Sequence, residues 1–105
     1  MKLRKLGLTG LWLSLTCSMP AWSQAVDPNL GRNLAANCAN CHGTNGVSVG
    51  GMPALAGQSR DSLARAMKEF REGKRPATIM HQLSKGYSDE QIDLIAAYLS
   101  AQKAR

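Results

Sequence analysis

Residues 38–43 read Cys38-Ala39-Asn40-Cys41-His42-Gly43, and the other features of the sequence are best understood from this motif. Two cysteines separated by two residues, with a histidine directly after the second, form the C-x-x-C-H pattern of covalent haem attachment. Cysteines three positions apart lie on the same side of a helical turn, so both sulfurs can form thioethers to one edge of a haem. The motif therefore predicts one covalent haem c, with Cys38 and Cys41 as thioether donors and His42 as an iron ligand.

Three other uses of these cysteines fit the rest of the sequence less well. A thioredoxin-like redox pair belongs beside a strand–helix–strand pattern, and the sequence contains no convincing strand. A structural zinc site needs four ligands at regular spacing, but only His81 could join the motif residues, and the adjacent Cys41 and His42 can hardly both reach one tetrahedral ion. A disulfide between Cys38 and Cys41 would close too small a loop to add much stability.

The amino-terminal part of the chain has the features of a secretory signal peptide. Three basic residues in the first five positions precede an apolar run, residues 6–16, that is too short to span a membrane. Small residues permit cleavage after Ser23 or after Ala25. We therefore expect residues 1–23 to be a leader, residues 24–105 to form one domain, and this domain, without a transmembrane segment, to lie in the periplasm of a bacterium.

Charge and size restrict what this domain can do. The chain of 105 residues has a formal charge of +6, but the leader contains three of its thirteen Lys and Arg residues and none of its seven acidic ones. The ten basic and seven acidic residues beyond the leader leave a balance of +3. No dense basic arm or aromatic platform points to a nucleic-acid partner. A domain of about 80 residues has a marginal apolar core of its own, so we expect the haem to form part of the core.

The two ends of the domain predict helices that meet. Asp27 followed by proline is typical of a helix start, and this helix should run from about residue 28 to residue 39, directly into the haem motif. Residues 88–91 form a capping box. A last helix should follow it, with five buried side chains: Ile92, Ile95, Ala96, Tyr98 and Leu99. Small side chains at Gly31 and Ala35 predict where the first and last helices cross.

The middle of the domain predicts two more helices. One should begin at Ser59 or Asp61 and end near Gly73, and a short one should cover about residues 77–84. The apolar positions of the longer helix fall on one face: Leu63, Ala66, Met67 and Phe70. Its other face is basic and is either simply solvated or a docking patch for an acidic redox partner, where charge mainly sets the encounter rate.

Residues 43–58 show no helical periodicity and are rich in glycine. So long a loop in a small domain needs a task, and covering the His42 side of the haem would be one. We expect Pro53 and Leu55 to lie against the ring and its histidine. A backbone carbonyl near Pro53 can accept the free imidazole N–H of His42, which would fix its tautomer and orientation.

The second iron ligand is expected to be Met80. Haem iron bound by His and Met is typical of electron-transfer cytochromes, in which the thioether raises the reduction potential. Met67 lies on an apolar helix face, and Met52 is in the loop that should cover the same side of the haem as His42. His81 is the main rival, because imidazole also binds iron. Neighbouring helical residues point about 100° apart, so only one of the pair can face the metal, and we expect His81 to be an exposed polar residue.

These motifs resemble those of the class I cytochromes c over essentially the whole of residues 24–105. The resemblance rests on Cys38 to Gly43, on residues 53–58, on Met80 and on residues 87–99. It implies an all-α fold with about four helices wrapped around one covalently bound haem. It also implies the site residues: Cys38 and Cys41 for the thioethers, His42 and Met80 for the iron, and the Pro53 carbonyl as support for the histidine.

Two segments, residues 41–50 and residues 77–88, are similar to the cytochrome subunits of flavocytochrome c sulfide dehydrogenases and to single domains of dihaem periplasmic cytochromes. The chain departs from dihaem patterns because it has one C-x-x-C-H motif. The resemblance implies redox proteins as partners, among them a flavoprotein subunit. No proton-transferring or nucleophilic constellation is visible, so we expect an electron carrier and not an enzyme.

Three functions stay open at this point. The first is a diffusing one-electron carrier between respiratory or sulfur-oxidising complexes. The second is the haem subunit of a sulfide-oxidising flavoprotein complex. The third is a haem sensor or a peroxidase-like enzyme, which would need an exchangeable sixth position on the iron.

Overall fold

The computed structural model describes residues 18–22 and 24–104. Most of the predicted leader, residues 1–17 and 23, lies outside the described residues, and its cleavage stays a prediction. Residues 18–22 and 24–27 have no regular secondary structure and are exposed. The described part of the chain is helical and contains no strand, which confirms the all-α prediction. None of its helices has the length and apolar character needed to cross a membrane.

The described elements fall into four helical segments. In order they are α1 (Leu30–Ala35), a 3₁₀ turn (Ala36–Cys38), α2 (Ala39–His42), a second 3₁₀ turn (Thr44–Gly46), α3 (Arg60–Arg71), α4 (Met80–Ser84) and α5 (Asp89–Ser100). The junction residues between α1 and α2 all have right-handed helical φ and ψ angles. The stretch 30–42 is therefore one helical segment, tightened in its middle, and with α3, α4 and α5 it makes the four helices predicted.

The first helix begins later and ends later than predicted. Asp27 does not cap it: the Asp27 carboxylate instead accepts from the backbone N–H of Asn29 at 2.8 Å, and the Asp27 carbonyl accepts from Leu30 N–H at 3.0 Å. These bonds close a turn before the helix, as Asp side chains commonly do. At the other end the helical segment continues through the haem motif to His42, and Gly43 ends it.

Helices α3 and α5 begin where their capping residues predict. Ser59 Oγ accepts from Ser62 N–H at 3.1 Å before α3. Before α5, Ser88 Oγ accepts from Gln91 N–H, and the Gln91 side chain accepts from Ser88 N–H, which is the predicted capping box. Arg71 connects the two helices, because its guanidinium donates to Asp89. This contact lowers the pKa of the Asp89 carboxyl below its ordinary value.

The core forms where α5 packs against both α1 and α3. Its buried side chains are Ala35, Leu63, Ala64, Ile92, Ile95, Ala96 and Leu99. Tyr98 is half-buried at the edge of this core and not inside it. The helices cross where predicted: a Cβ added to Gly31 would lie 2.8 Å from the backbone oxygen of Leu94. Glycine at position 31 therefore sets how closely α1 approaches α5.

Replacing Gly31 with alanine is expected to destabilise the protein. Alanine is the better helix former by about 1 kcal/mol, but its methyl group would overlap Leu94 O, and overpacking of this kind typically costs about 1–3 kcal/mol. Guanidinium unfolding of the haem-loaded protein measures the net loss. Asn33→Ala, an exposed position on the same helix, is the matched control and should be neutral or slightly stabilising. A Gly31→Ala variant as stable as this control would contradict the close crossing.

Helix α4 is shorter than predicted. It covers five residues, Met80–Ser84, while residues 77–79 are not helical. Its last residue, Ser84, is fully buried and donates from Oγ to the sulfur of Met67 at 3.7 Å. Met67 is half-buried and packs against the core, in agreement with its predicted place on the apolar face of α3.

Candidate haem-binding site

The histidine of the C-x-x-C-H motif is the last residue of α2 and is 9% exposed. The helix stops immediately after it because Gly43 has φ +84° and ψ 162°, a backbone conformation that is essentially restricted to glycine. A Cβ at Gly43 would lie 2.0 Å from the backbone oxygen of Val47. The chain therefore folds back tightly beneath His42, and a residue with a side chain does not fit at the reversal.

The ring of His42 has a defined tautomer. Its Nδ1 lies 2.7 Å from the backbone oxygen of Pro53. Because a carbonyl oxygen can only accept, Nδ1 carries the proton, and in the neutral ring Nε2 is left with the lone pair. Within residues 24–104, no group makes a hydrogen bond to Nε2, and protein does not enclose that atom. Pro53 thus fixes the ring and leaves Nε2 without a hydrogen-bond partner among the described residues, which is the arrangement that a metal-binding histidine needs.

The loop that presents the Pro53 carbonyl is supported from two sides. Gly46 O accepts from the backbone N–H groups of both Leu55 and Ala56, at 2.9 and 3.1 Å. Asn45, which has φ +55°, accepts at Oδ1 from the hydroxyl of Tyr98 at 2.5 Å. Sequence reasoning did not assign these roles. The Asn45-Gly46 pair is a turn signal, but its partners are distant in the sequence and could not be read from it.

The sulfurs of Cys38 and Cys41 are not joined in a disulfide. Cys38 is half-buried and packs against the core, whereas Cys41 is exposed. Burial raises the pKa of the Cys38 thiol above its ordinary value. This environment disfavours the thiolate that a zinc site requires and favours an uncharged sulfur, such as a thioether. In the described part of the chain, no group of three or more His, Cys, Asp or Glu side chains could bind a metal ion.

The other candidate ligands are dispersed. Met80 is half-buried at the start of α4, which packs against α3. Met52 is 42% exposed in the loop after His42. The prediction that His81 is exposed is wrong: its ring is half-buried, its Nε2 donates to the backbone oxygen of Arg75, and it lies beside Phe70. One nitrogen of His81 is thus already occupied within the protein.

The surroundings of the motif fit a haem. Leu55 is half-buried and packs against the same core as Cys38, on the loop that provides the Pro53 carbonyl. Large apolar side chains are partly exposed both in this loop and around Met80. The exposed fractions are 42% for Met52, 55% for Ile79 and 48% for Leu83. A flat apolar cofactor would cover such surface, and the Cys38 and Cys41 sulfurs and His42 Nε2 are the groups needed to attach it.

The basic face of α3 is largely neutralised by neighbouring carboxylates. Two cations of α3 and two that follow the helix form ion pairs: Lys68 with Asp93, Arg71 with Asp89, Lys74 with Glu72, and Arg75 with Glu69. Arg65 has no ion-pair partner within residues 24–104. The pairing favours a solvated face over a uniformly basic docking patch, since such exposed pairs contribute little energy and cancel the local charge.

An all-helical domain in which one helix ends in C-x-x-C-H, with an oriented histidine and two free cysteines, defines the class of c-type haem proteins. Residues 29–103 match the family model described as "Cytochrome c", and the chain belongs to this family. Its cofactor is covalently bound haem c, and its activity is electron transfer.

Named relatives agree with this assignment. Over 82 residues the chain is 40% identical to the cytochrome subunit of sulfide dehydrogenase from Chlorobaculum tepidum, covering 75% of this chain and 74% of that one. It is 39% identical to cytochrome c-554(548) from Halomonas halodenitrificans, covering 75% of this chain and the whole of that one. The crystal structure of cytochrome c4 from Pseudomonas stutzeri superposes with a TM-score of 0.70 at 31% identity, over 77% of this chain. The match spans 48% of that structure, about half its length.

Proposed function

We propose that this chain is a periplasmic one-electron carrier whose single haem iron is bound by His42 and Met80. The observation that carries the proposal is the hydrogen bond from His42 Nδ1 to Pro53 O, which leaves Nε2 as the basic nitrogen on a buried, oriented ring. When bound, haem c supplies an iron that alternates between the ferric and ferrous states. The periplasmic location rests on the leader features of residues 1–23.

Each residue of the site has a separate task in this proposal. Cys38 and Cys41 attach the cofactor through their sulfurs, so that it cannot dissociate. His42 donates the Nε2 lone pair, and the Pro53 carbonyl keeps the ring from rotating. Met80 provides a thioether, which favours the ferrous state. Ligands carried by packed elements move little when the charge on the iron changes, so little reorganisation opposes electron transfer.

Replacing Met80 with leucine is expected to abolish the sulfur-to-iron charge-transfer band of the ferric protein. It should also lower the reduction potential, because the thioether raises it, and allow carbon monoxide to bind the ferrous protein. Leucine conserves the volume of methionine, so packing changes little. Absorption spectra in both redox states and a potentiometric titration measure these effects.

Met67→Leu and Met52→Leu are the matched controls for this experiment, and both should keep the band. A band that persists in Met80→Leu and disappears in one of the controls would move the ligand to that methionine. Carbon monoxide binding by the unmodified ferrous protein would contradict a filled sixth position and favour a sensor or a peroxidase-like enzyme.

A second candidate function is the haem subunit of a sulfide-oxidising flavoprotein complex. It is supported by the 40% identity with the cytochrome subunit of sulfide dehydrogenase. The free carrier is supported by cytochrome c-554(548), whose whole length this chain covers. Purification of the tagged haem protein from its native host distinguishes them. Flavin that co-elutes in a fixed ratio to haem supports the subunit, and a flavin-free monomer supports the carrier.

A further inference from the structure

The chain reverses at the end of α3 and returns along the helix. Gly73 has φ +74°, Gly73 N–H donates to Phe70 O at 3.1 Å, and Lys74 N–H donates to Glu69 O at 2.9 Å. This pair of bonds is a Schellman motif. It brings Arg75 back beside the last turn of α3, where its guanidinium lies 5.6 Å from the ring centre of Phe70 and donates to Glu69 at 2.9 and 3.0 Å.

His81 connects the first turn of α4 to this reversed segment. Its Nε2 donates to the backbone oxygen of Arg75, and its ring centre lies 6.3 Å from that of Phe70 at a tilt of 56°. Residues 75–81 thus form a loop that is closed at its base by one side-chain hydrogen bond. Met80 is the residue directly before His81 and lies inside this closed loop.

Helix α4 depends on such contacts because it has little stability of its own. Five residues are too few for an independent helix in water, and Ile79 at the N-cap provides no side-chain capping bond. At the carboxyl end, the buried Ser84 contacts Met67. At the amino end, where Met80 lies, the side-chain hydrogen bond to α3 and its reversed segment is that of His81.

We propose that His81 is a positioning residue, which fixes the start of α4 against the end of α3 and so keeps the Met80 sulfur in place. This inference rests on the proposed function, in which Met80 binds the iron. Without the bond from His81 to Arg75 O, the first turn of α4 would separate from α3 more often. An external ligand would then replace Met80 more easily, although the chain would still fold around its haem.

The test is a titration of the ferric haem-loaded protein with imidazole at about pH 8, where free imidazole is neutral. Loss of the charge-transfer band reports displacement of the methionine. We expect His81→Ala and His81→Asn to bind imidazole about five- to tenfold more tightly than the unmodified protein, the effect of losing one hydrogen bond of about 1 kcal/mol. His81→Gln retains an N–H donor at similar reach and should restore most of the original resistance. Gln82→Ala, an exposed neighbour on α4, should behave as the unmodified protein.

Guanidinium unfolding of the same variants measures their global stability. It therefore separates an effect on the position of Met80 from a general loss of stability. Unchanged imidazole binding in His81→Ala and His81→Asn, with the band intact, would overturn this inference alone. A His81→Gln variant that behaves like His81→Ala would also overturn it, because the hydrogen bond would not be the cause. A band that persists in Met80→Leu would overturn the proposed ligand, and this inference with it.

Discussion

Gly43→Ala is expected to prevent accumulation of haem-loaded protein. The residue has φ +84° and ψ 162°, and holding a non-glycine residue in this region costs on the order of 1–3 kcal/mol. In addition, the new methyl carbon would lie 2.0 Å from Val47 O and 2.7 Å from Val47 C, so the backbone itself would have to move. That movement would displace the loop that presents the Pro53 carbonyl to His42. Haem absorbance per amount of secreted polypeptide measures the outcome.

Two other glycines of the same loop separate the causes. Gly50 also has a positive φ, of +85°, but a Cβ there would meet nothing within 4 Å, and a Cβ at Gly51 would meet nothing either. Gly50→Ala should therefore show the conformational cost alone, and Gly51→Ala should be close to neutral. If Gly43→Ala accumulated as much haem protein as Gly51→Ala, the tight reversal beneath His42 would be refuted.

Ile92→Ala is expected to produce the largest loss of stability among core substitutions in α5. Ile92 has no exposed surface and belongs to the cluster in which α5 meets α1 and α3. Truncating a buried isoleucine to alanine typically costs about 2–5 kcal/mol. A domain of this size has a total stability on the order of 5–10 kcal/mol, so a large fraction would be lost. Guanidinium unfolding of the haem-loaded protein, followed by circular dichroism, measures the change in free energy.

A graded series tests whether burial is the cause. Ile92→Val removes one methylene and should cost about 0.5–1.5 kcal/mol. Val49→Ala removes aliphatic carbon from a side chain that is 87% exposed, and its effect should stay within about 0.5 kcal/mol. An Ile92→Ala variant with the same unfolding midpoint as Val49→Ala would disagree with the packing of α5 described above.

Local signals account for much of what could be predicted. The C-x-x-C-H motif, the N-cap at Ser59 and the capping box at Ser88 each involve residues within four positions of one another. Their geometry therefore depends on the backbone of a single turn. The bond from His42 Nδ1–H to the Pro53 carbonyl joins residues eleven apart. It is nevertheless predictable, because an iron-binding imidazole needs an acceptor for its second nitrogen and the glycine-rich loop is the segment that can provide one.

Local signals gave the wrong prediction at Asp27 and at His81, for different reasons. Asp27 has the composition of a helix cap, but its carboxylate closes a turn with Asn29 instead. A single polar residue in a short helix predicts an exposed side chain, and His81 is half-buried instead. Nothing in the sequence around His81 indicates that it packs against the end of α3. The return of Arg75 along α3, through Gly73, creates the surface on which His81 packs.

The attachment of the cofactor and the all-α class follow directly from the sequence, because covalent chemistry and helix periodicity depend on residues that are close together in the chain. Three properties emerge only once the helices have packed: which nitrogen of His42 stays unprotonated, how closely α1 approaches α5 at Gly31, and the ion pairing of Lys68 and Arg71 with residues of α5. These properties depend on atoms brought together from distant parts of the chain. Their energies come from packing and hydrogen bonds that exist only after the helices have assembled.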